Sequence, residues 1–320
     1  MEKEEKILVY HPAFEHGLAI LNGCFKSAGN AADATCRVFY GPSRSGKSQL
    51  LKEFCRRHPF VEHEKFTEMP VVFIEVPSTP TVKGFAQEIL RRLGDPLWKR
   101  GNTHQMTIRV QEICEKCKVR VLAFDDFQHL VDANSNVPRE AADFLKELLV
   151  RSQDEKANLA NLSVVAVGLE RGLEVFKQND QLRGRFGAPI KFGPFDWEIE
   201  EDNKNFRAFI KQMKEDLSEF TFPGEDCSFA RRIHWASYGL IGYSMKVVRR
   251  AAKRARRAKV TQITLKHLEI AFNEEIGTAD LNGAANPFSN GFKVKEPPAR
   301  LVPESDVPTS RRPPRLKLTA

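Results

Sequence analysis

The chain has 320 residues, of which 41% are hydrophobic and 29% are charged, and its formal net charge is +8. This composition indicates a globular protein with one large core and a smaller second domain. No apolar stretch approaches the ~20 residues of a membrane-spanning helix, and the charged start, Met1–Lys6, lacks the apolar segment of a signal peptide. We therefore expect a cytoplasmic protein without a membrane partner, and the basic excess favours a polyanionic partner.

The first two thirds of the chain alternate between apolar strands and helical stretches. A helical segment from Pro12 to Ala28 lies in a predicted N-terminal extension, residues 1–30. Within residues 31–195, runs of β-branched and apolar residues predict buried parallel strands separated by helices, which indicates an α/β fold with a sheet between helical layers. The five predicted strands are 36–40, 71–76, 119–124, 163–167 and 189–192.

After about Asp196 the strand pattern gives way to helical periodicity. Apolar residues at helical spacing predict helices at 206–210, 229–238, 244–259 and 264–275, and hence a small helical bundle over residues 196–282. Residues 283–320 have no such periodicity. Six prolines after residue 296, together with seven basic and three acidic residues from 291 onward, predict a flexible basic tail.

The most specific motif is a phosphate-binding loop of the form GxxxxGK[ST], placed between the first predicted strand and a helix. Its glycines permit a tight turn whose N–H groups face an anion. Lys47 brings a positive charge to the β- and γ-phosphates, and the Ser48 hydroxyl is a ligand for Mg²⁺. ATP and Mg²⁺ are therefore the expected cofactors. The candidate nucleotide-binding residues of this segment are Gly41, Pro42, Ser43, Arg44, Ser45, Gly46, Lys47, Ser48 and Gln49.

A second half of the site is predicted where the third strand ends in Asp125-Asp126. An apolar strand that delivers a carboxylate at its C-terminal end is the Walker B arrangement. Asp125 is the predicted second Mg²⁺ ligand, directly or through water, and Asp126 the predicted general base or water-orienting group. After the next strand, Glu170 or backbone groups are the candidates for sensing the γ-phosphate.

Two arginines precede the fifth strand, in the segment 180–186. A guanidinium is always charged and binds phosphate oxygens bidentately, so an arginine here suits contact with the nucleotide of a neighbouring subunit. Arg185 is the first candidate for this catalytic role and Arg183 the second. The alternative is a pair of ordinary surface arginines.

Together these segments resemble the AAA+ ATPases of the TniB/TnsC type, which are ATP-dependent regulators of DNA transposition. The resemblance covers about residues 8–290, and it implies a P-loop AAA+ core with a small C-terminal helical lid. Two departures stand out: the family usually carries Glu where this chain has Asp126, and the sensor position after the fourth strand is not clearly polar. Besides the phosphate loop, the segments that carry the resemblance are 11–14, 77–80, 89–96, 124–130, 180–186, 239–243, 247–252 and 286–288.

The resemblance also implies roles for basic residues outside the phosphate loop. In the strongly basic segment 244–259, Lys246 or Arg249 is the expected nucleotide sensor of the lid. The outer basic residues meet DNA phosphates or an acidic partner surface, or they form a solvated face balanced by acids elsewhere. Family members grip DNA with loops between the second strand and Walker B. In this chain the segment 97–104 is the candidate, with Lys99, Arg100 and Thr103 as DNA-binding residues, unless it is a plain surface loop.

The resemblance implies a regulator that forms a homo-oligomer on double-stranded target DNA, as a helical filament or ring, and recruits or activates a DDE-type transposase. A target-selection protein of the TniQ type is the other expected partner, and hydrolysis resets the assembly. Two alternatives remain: an initiator-like or helicase-loading AAA+ ATPase, and a nucleotide-gated DNA-binding scaffold with negligible turnover.

Overall fold

The computed structural model describes residues 8–28, 34–78, 80–132, 136–149, 162–224, 226–277, 286–289 and 292. The predicted tail, residues 283–320, lies almost entirely outside these residues. Within them, no helix is long and apolar enough to cross a membrane.

Five strands form one parallel sheet, as predicted. In chain order the strands are β1 Arg37–Tyr40, β2 Val61–Glu62, β3 Thr67–Glu68, β4 Val71–Glu75, β5 Val121–Asp125, β6 Ser163–Gly168 and β7 Ile190–Lys191. The sheet order is β4-β5-β6-β1-β7, whereas β2 and β3 form a separate antiparallel hairpin that the sequence pattern did not predict. This order places the end of β6 beside the end of β1, from which the phosphate loop departs, and the end of β5 one strand further along. Every residue of β5 and β6 is buried, which explains their continuous apolar sequences.

Among the described residues, eight helices accompany the sheet and four follow it. The first eight are α1 Pro12–Ser27, α2 Lys47–Arg57, α3 Val82–Arg92, α4 Thr103–Lys116, α5 His129–Asp132, α6 Val137–Leu149, α7 Glu174–Lys177 and α8 Asp180–Arg185. A 3₁₀ turn, Glu170–Leu173, precedes α7. The last four are α9 Glu200–Asp216, α10 Asp226–Ser237, α11 Ile241–Arg257 and α12 Leu265–Glu275.

Helix α1 is part of the sheet's packing and not a separate appendage. Its buried residues include Phe14 and Leu21, which share a hydrophobic cluster with Phe39 of β1 and Val165 of β6. The hydroxyl of Ser163 also donates to the carbonyl of Cys24 at 2.9 Å. The segment predicted as an N-terminal extension therefore contributes one layer of the core.

The last four helices have a hydrophobic core of their own. Phe206 and Phe209 of α9 pack with Ile233, Val248 and Phe272 from the other three helices. The apolar stripe of α11 faces this core, as the sequence predicts. We call this helical unit the lid, because its helix α11 begins beside the phosphate loop.

Candidate nucleotide-binding site

The phosphate loop follows β1 and ends where α2 begins at Lys47. Gly46 adopts a φ of 103°, a left-handed conformation that side chains rarely allow, and it forms the N-cap of α2. Lys47 is 7% exposed, and its ammonium donates to the carbonyls of Gly41 at 2.8 Å and Pro42 at 2.7 Å. The cation is thereby held in the concavity of the loop, next to the positive end of the α2 dipole.

A hydroxyl and a carboxylate meet at the position predicted for a metal. Ser48 Oγ donates to Asp125 Oδ1 at 2.9 Å, although the two residues are 77 positions apart. Asp125 is 5% exposed, and this burial raises the pKa of its carboxyl, while the Ser48 hydrogen bond opposes the rise. The described residues contain no group of three or more His, Cys, Asp or Glu side chains that could hold a metal ion. Two oxygen donors of this kind fit Mg²⁺, which usually takes one or two protein ligands and completes its shell with phosphate and water.

The second carboxylate of the site, Asp126, belongs to a short polar network. It has a φ of 54° and its N–H donates to Asp125 Oδ1 at 3.0 Å. Gln128 Nε2 donates to Asp126 Oδ1 at 3.0 Å, and Gln128 Oε1 accepts from the N–H of Leu169 at 3.1 Å. Gln128 could not be predicted from the sequence, since no spacing rule relates it to the end of β6. Glu170, the residue predicted there, is exposed and outside the cleft.

These groups line one cleft of about 550 Å³ between the sheet, the N-terminal segment and the lid. The N-terminal segment contributes His11, which is buried against Phe195 and Phe209, and its burial lowers its pKa to about 4. His11 is therefore neutral near pH 7 and adds no charge to the cleft. From the lid, the N–H of Gly242 donates to the carbonyl of Arg44 at 2.8 Å, so that α11 begins in direct contact with the phosphate loop.

The two predicted lid sensors occupy different places. Arg249 lines the cleft. Lys246 lies outside it: its ammonium is 3.0 Å from a carboxylate oxygen of Glu275 and donates to the carbonyl of the same residue at 2.9 Å. Helical geometry explains the difference, since residues three apart differ by about 60° around a helix. The sensor prediction thus narrows to Arg249.

The predicted arginine finger lies on the surface. Arg183 and Arg185 are both exposed near the end of α8, and neither lines the cleft of its own chain. Arg185 Nη1 donates to the carbonyl of Leu149 at 3.0 Å, which anchors this side chain at the edge of the core. An exposed, anchored guanidinium is sterically accessible to a neighbouring molecule, but its contact with a second subunit stays a prediction.

The outer face of α11 is largely balanced by acids from neighbouring elements. Arg250 and Arg254 both pair with Glu274 of α12, and Arg256 pairs with Glu219 beyond the end of α9. These carboxylates lie 20 to 37 residues from their partners in sequence. The placement agrees with the solvated-face interpretation of this helix and leaves less net charge for DNA than its sequence suggests.

A side chain of α4 holds the candidate DNA loop between α3 and α4 in place. Arg109 of α4 donates to the carbonyls of Leu97 and Arg100, each at 3.0 Å, and pairs with Asp95 at 3.0 Å. Gly101 has a φ of 101° and leads directly into the N-cap of α4. The glycine therefore serves a specific turn.

The predicted DNA-binding side chains of this loop differ in exposure. Lys99 and Arg100 are exposed, and the Lys99 ammonium lies 4.7 Å from the centre of the Trp98 ring. Thr103 is half-buried as the first residue of α4.

Comparisons with known proteins identify the family of this chain. The model of the family described as "Bacterial TniB protein" matches residues 2–194, which is more than half of the chain. The chain belongs to the TniB family. No curated protein matches it by sequence.

Solved structures extend the likeness of this TniB-family chain to its lid. The ORC2 protein of Aeropyrum pernix, in ADPNP–ADP complexes, is 13% identical with a TM-score of 0.60, over 86% of this chain and 71% of that protein. Cdc6p from Pyrobaculum aerophilum is 15% identical with a TM-score of 0.59, over 85% and 70%. The ORC1 protein of Aeropyrum pernix, solved in complex with DNA, is 12% identical with a TM-score of 0.59, over 85% and 67%. At these identities the likeness establishes the fold, a P-loop AAA+ core with a lid.

Proposed function

We propose that this TniB-family chain is an ATP-dependent regulator of DNA transposition. Chains loaded with ATP and Mg²⁺ assemble on double-stranded DNA as a filament or ring. The assembly recruits or activates a DDE-type transposase and works with a target-selection protein of the TniQ type. ATP can favour this assembly only by binding the assembled and free states with different affinity, and its hydrolysis resets the equilibrium.

The observation that carries the proposal is the convergence of four polar side chains at one edge of the sheet. Lys47 and Ser48 begin α2, and Asp125 and Asp126 follow from the end of β5, with Ser48 Oγ and Asp125 Oδ1 2.9 Å apart. Lys47 binds phosphate oxygens, Ser48 and Asp125 hold Mg²⁺, and Asp126 orients the attacking water and accepts its proton. When bound, Mg²⁺ neutralises charge on the β- and γ-phosphates.

The DNA-binding part of the proposal is supported by the loop between α3 and α4. Its exposed cations, Lys99 and Arg100, stand on a backbone that Arg109 holds at two carbonyls. Thr103 adds a hydroxyl at the start of the next helix. Contacts of this type reach phosphates and give affinity without sequence preference.

Complementation between two defective variants tests the shared site. We expect Arg185→Ala to bind ATP normally but to hydrolyse it on the order of 1,000-fold more slowly, because an arginine finger contributes about that factor. Mixing it with Lys47→Ala restores part of the ATPase rate, since some interfaces then join an intact phosphate loop to an intact Arg185. Arg183→Ala is the matched control and keeps most of the activity.

The experiment measures steady-state ATPase rates and the mass of the assemblies that form on duplex DNA. Full activity of Arg185→Ala contradicts its role. Absence of ATP-dependent assembly in the unaltered protein contradicts the proposed function itself.

A scaffold with negligible turnover is the second candidate, and Asp126 favours it. Aspartate lacks one methylene relative to glutamate and reaches about 1.5 Å less far, and a misplacement near 1 Å costs on the order of 100-fold in rate. Phosphate release measured with and without DNA separates the two: a regulator that resets hydrolyses ATP within the lifetime of its assembly, and a scaffold does not. An initiator-like or helicase-loading role shares the fold, and the 12–15% identities to the archaeal proteins favour neither role.

A further inference from the structure

The side chain of Gln128 joins the two strand ends that border the predicted γ-phosphate position. It is 6% exposed and both ends of its amide are engaged. Its nitrogen donates to Asp126 Oδ1 at 3.0 Å, and its oxygen accepts from the N–H of Leu169 at 3.1 Å. These two bonds settle the orientation of the amide, because a flipped amide would set donor against donor at Leu169.

The end of β6 is shaped to receive this amide. A side chain at Gly168 would put its Cβ 2.6 Å from Gln128 Oε1, and one at Gly172 would put its Cβ 3.2 Å from the Gln128 nitrogen of the main chain. Gln128 therefore occupies the volume that a side chain at position 168 would need. The sequence carries no clearly polar residue at this strand end, and the structure brings one there from the turn after the neighbouring strand β5.

The same amide restricts the carboxylate of Asp126. With a donor on Oδ1, Oδ2 keeps both of its lone pairs for a proton from water in the cleft. The backbone at Asp126 adds a second restraint, with a φ of 54° and an N–H that donates to Asp125 Oδ1. The backbone and the side chain of Asp126 are both held, so its carboxylate points in a defined direction. This direction matters because aspartate reaches less far than glutamate and leaves less room for misplacement.

We propose that Gln128 is a positioning residue that orients Asp126 and carries the polar contact to the end of β6. The expected effect of Gln128 on turnover rests on the proposed function, whereas its contact with Leu169 does not depend on that function. The amide acts through Asp126 and not on the nucleotide, so its removal lowers the ATPase rate and leaves ATP affinity nearly unchanged.

Three variants separate the two bonds of the amide. Gln128→Leu has similar bulk and removes both. Gln128→Glu keeps an acceptor for Leu169 but sets a carboxylate against Asp126. Gln212→Leu is the matched control, since Gln212 also donates to an aspartate, Asp216 at 3.2 Å, on the lid helix α9. Hydrogen exchange of the Leu169 amide and titration with ATP are measured beside the ATPase rate.

We expect exchange at Leu169 to rise on the order of 10-fold in Gln128→Leu and to stay near the parent value in Gln128→Glu, because only the first loses the acceptor. Both variants lose on the order of 10- to 100-fold in turnover, and Gln128→Leu, which adds no charge, keeps ATP affinity within about threefold of the parent. Gln212→Leu changes none of these.

If Gln128→Leu exchanges the Leu169 amide at the parent rate, the contact between Gln128 and Leu169 is overturned. If Gln128→Glu hydrolyses ATP at the parent rate, the role of Gln128 in orienting Asp126 is overturned. If the unaltered protein binds ATP but does not hydrolyse it, the hydrolytic part of the proposed function fails. The exchange pattern at Leu169 then decides whether Gln128 links the two strand ends, and its orienting role in turnover is overturned.

Discussion

The phosphate loop and helix α11 both concentrate positive charge, but their cations have different surroundings. Lys47 is buried and donates to main-chain carbonyls of its own loop. On α11, Arg250 and Arg254 are partly exposed and share the carboxylate of Glu274. Burial holds the Lys47 ammonium where a phosphate arrives, whereas an anion approaching α11 competes with a carboxylate and with water. The number of basic residues in a segment is therefore a poor guide to anion binding unless their partners are known.

The largest expected effect on ATP binding comes from a substitution in the phosphate loop. Lys47→Ala should weaken ATP binding by at least about 100-fold, or about 2.7 kcal/mol, because it removes the buried cation from the loop. Lys246→Ala, the matched control from α11, should change ATP affinity less than about threefold because Lys246 is held by Glu275 outside the cleft. Titration with a fluorescent ATP analogue measures both. Equal losses in the two variants would contradict the distinction between buried and surface cations.

A smaller effect is expected where the two regions touch. The Cβ of Gly242→Ala would lie 2.7 Å from the carbonyl oxygen of Arg44, which is backbone and cannot rotate away. We expect α11 to move off the phosphate loop and ATP affinity to fall on the order of 10-fold. Gly23→Ala, a helical glycine with open space around its Cβ, is the control. The control should change only the stability of the helix, and its free energy of unfolding, measured by thermal unfolding, should rise by roughly 0.5–1 kcal/mol. Unchanged ATP affinity in Gly242→Ala would mean that the lid contact does not support the site.

The smallest effect is expected from the exposed ion pairs of α11. Glu274→Gln removes the carboxylate that Arg250 and Arg254 share, and we expect duplex DNA affinity to change less than about twofold if this face does not meet DNA.

The joint Lys99→Ala, Arg100→Ala variant should lower affinity for duplex DNA on the order of 10-fold for every sequence and reduce the slope of log affinity against log salt by about 2. Binding isotherms at several salt concentrations measure both. A large gain of affinity in Glu274→Gln would move the DNA contact to α11.

The sequence by itself determined the parts of this protein that depend on neighbouring residues. Apolar runs predicted the five strands of the sheet, and helical periodicity predicted the lid helices, because strand and helix formation follow local spacing and burial. The glycines and Lys47 predicted the phosphate loop for the same reason, since the motif is a continuous turn.

Only the tertiary structure decided which distant groups meet. It separated Arg249 at the cleft from Lys246 beside Glu275, and it brought Gln128 to the end of β6. The balancing of α11 by Glu219 and Glu274 likewise depends on carboxylates 20 to 37 residues away in sequence. Spacing along the chain carries no information about such pairs. They depend on how strands are ordered in the sheet and how the lid helices pack, and those arrangements are selected by the burial of whole faces.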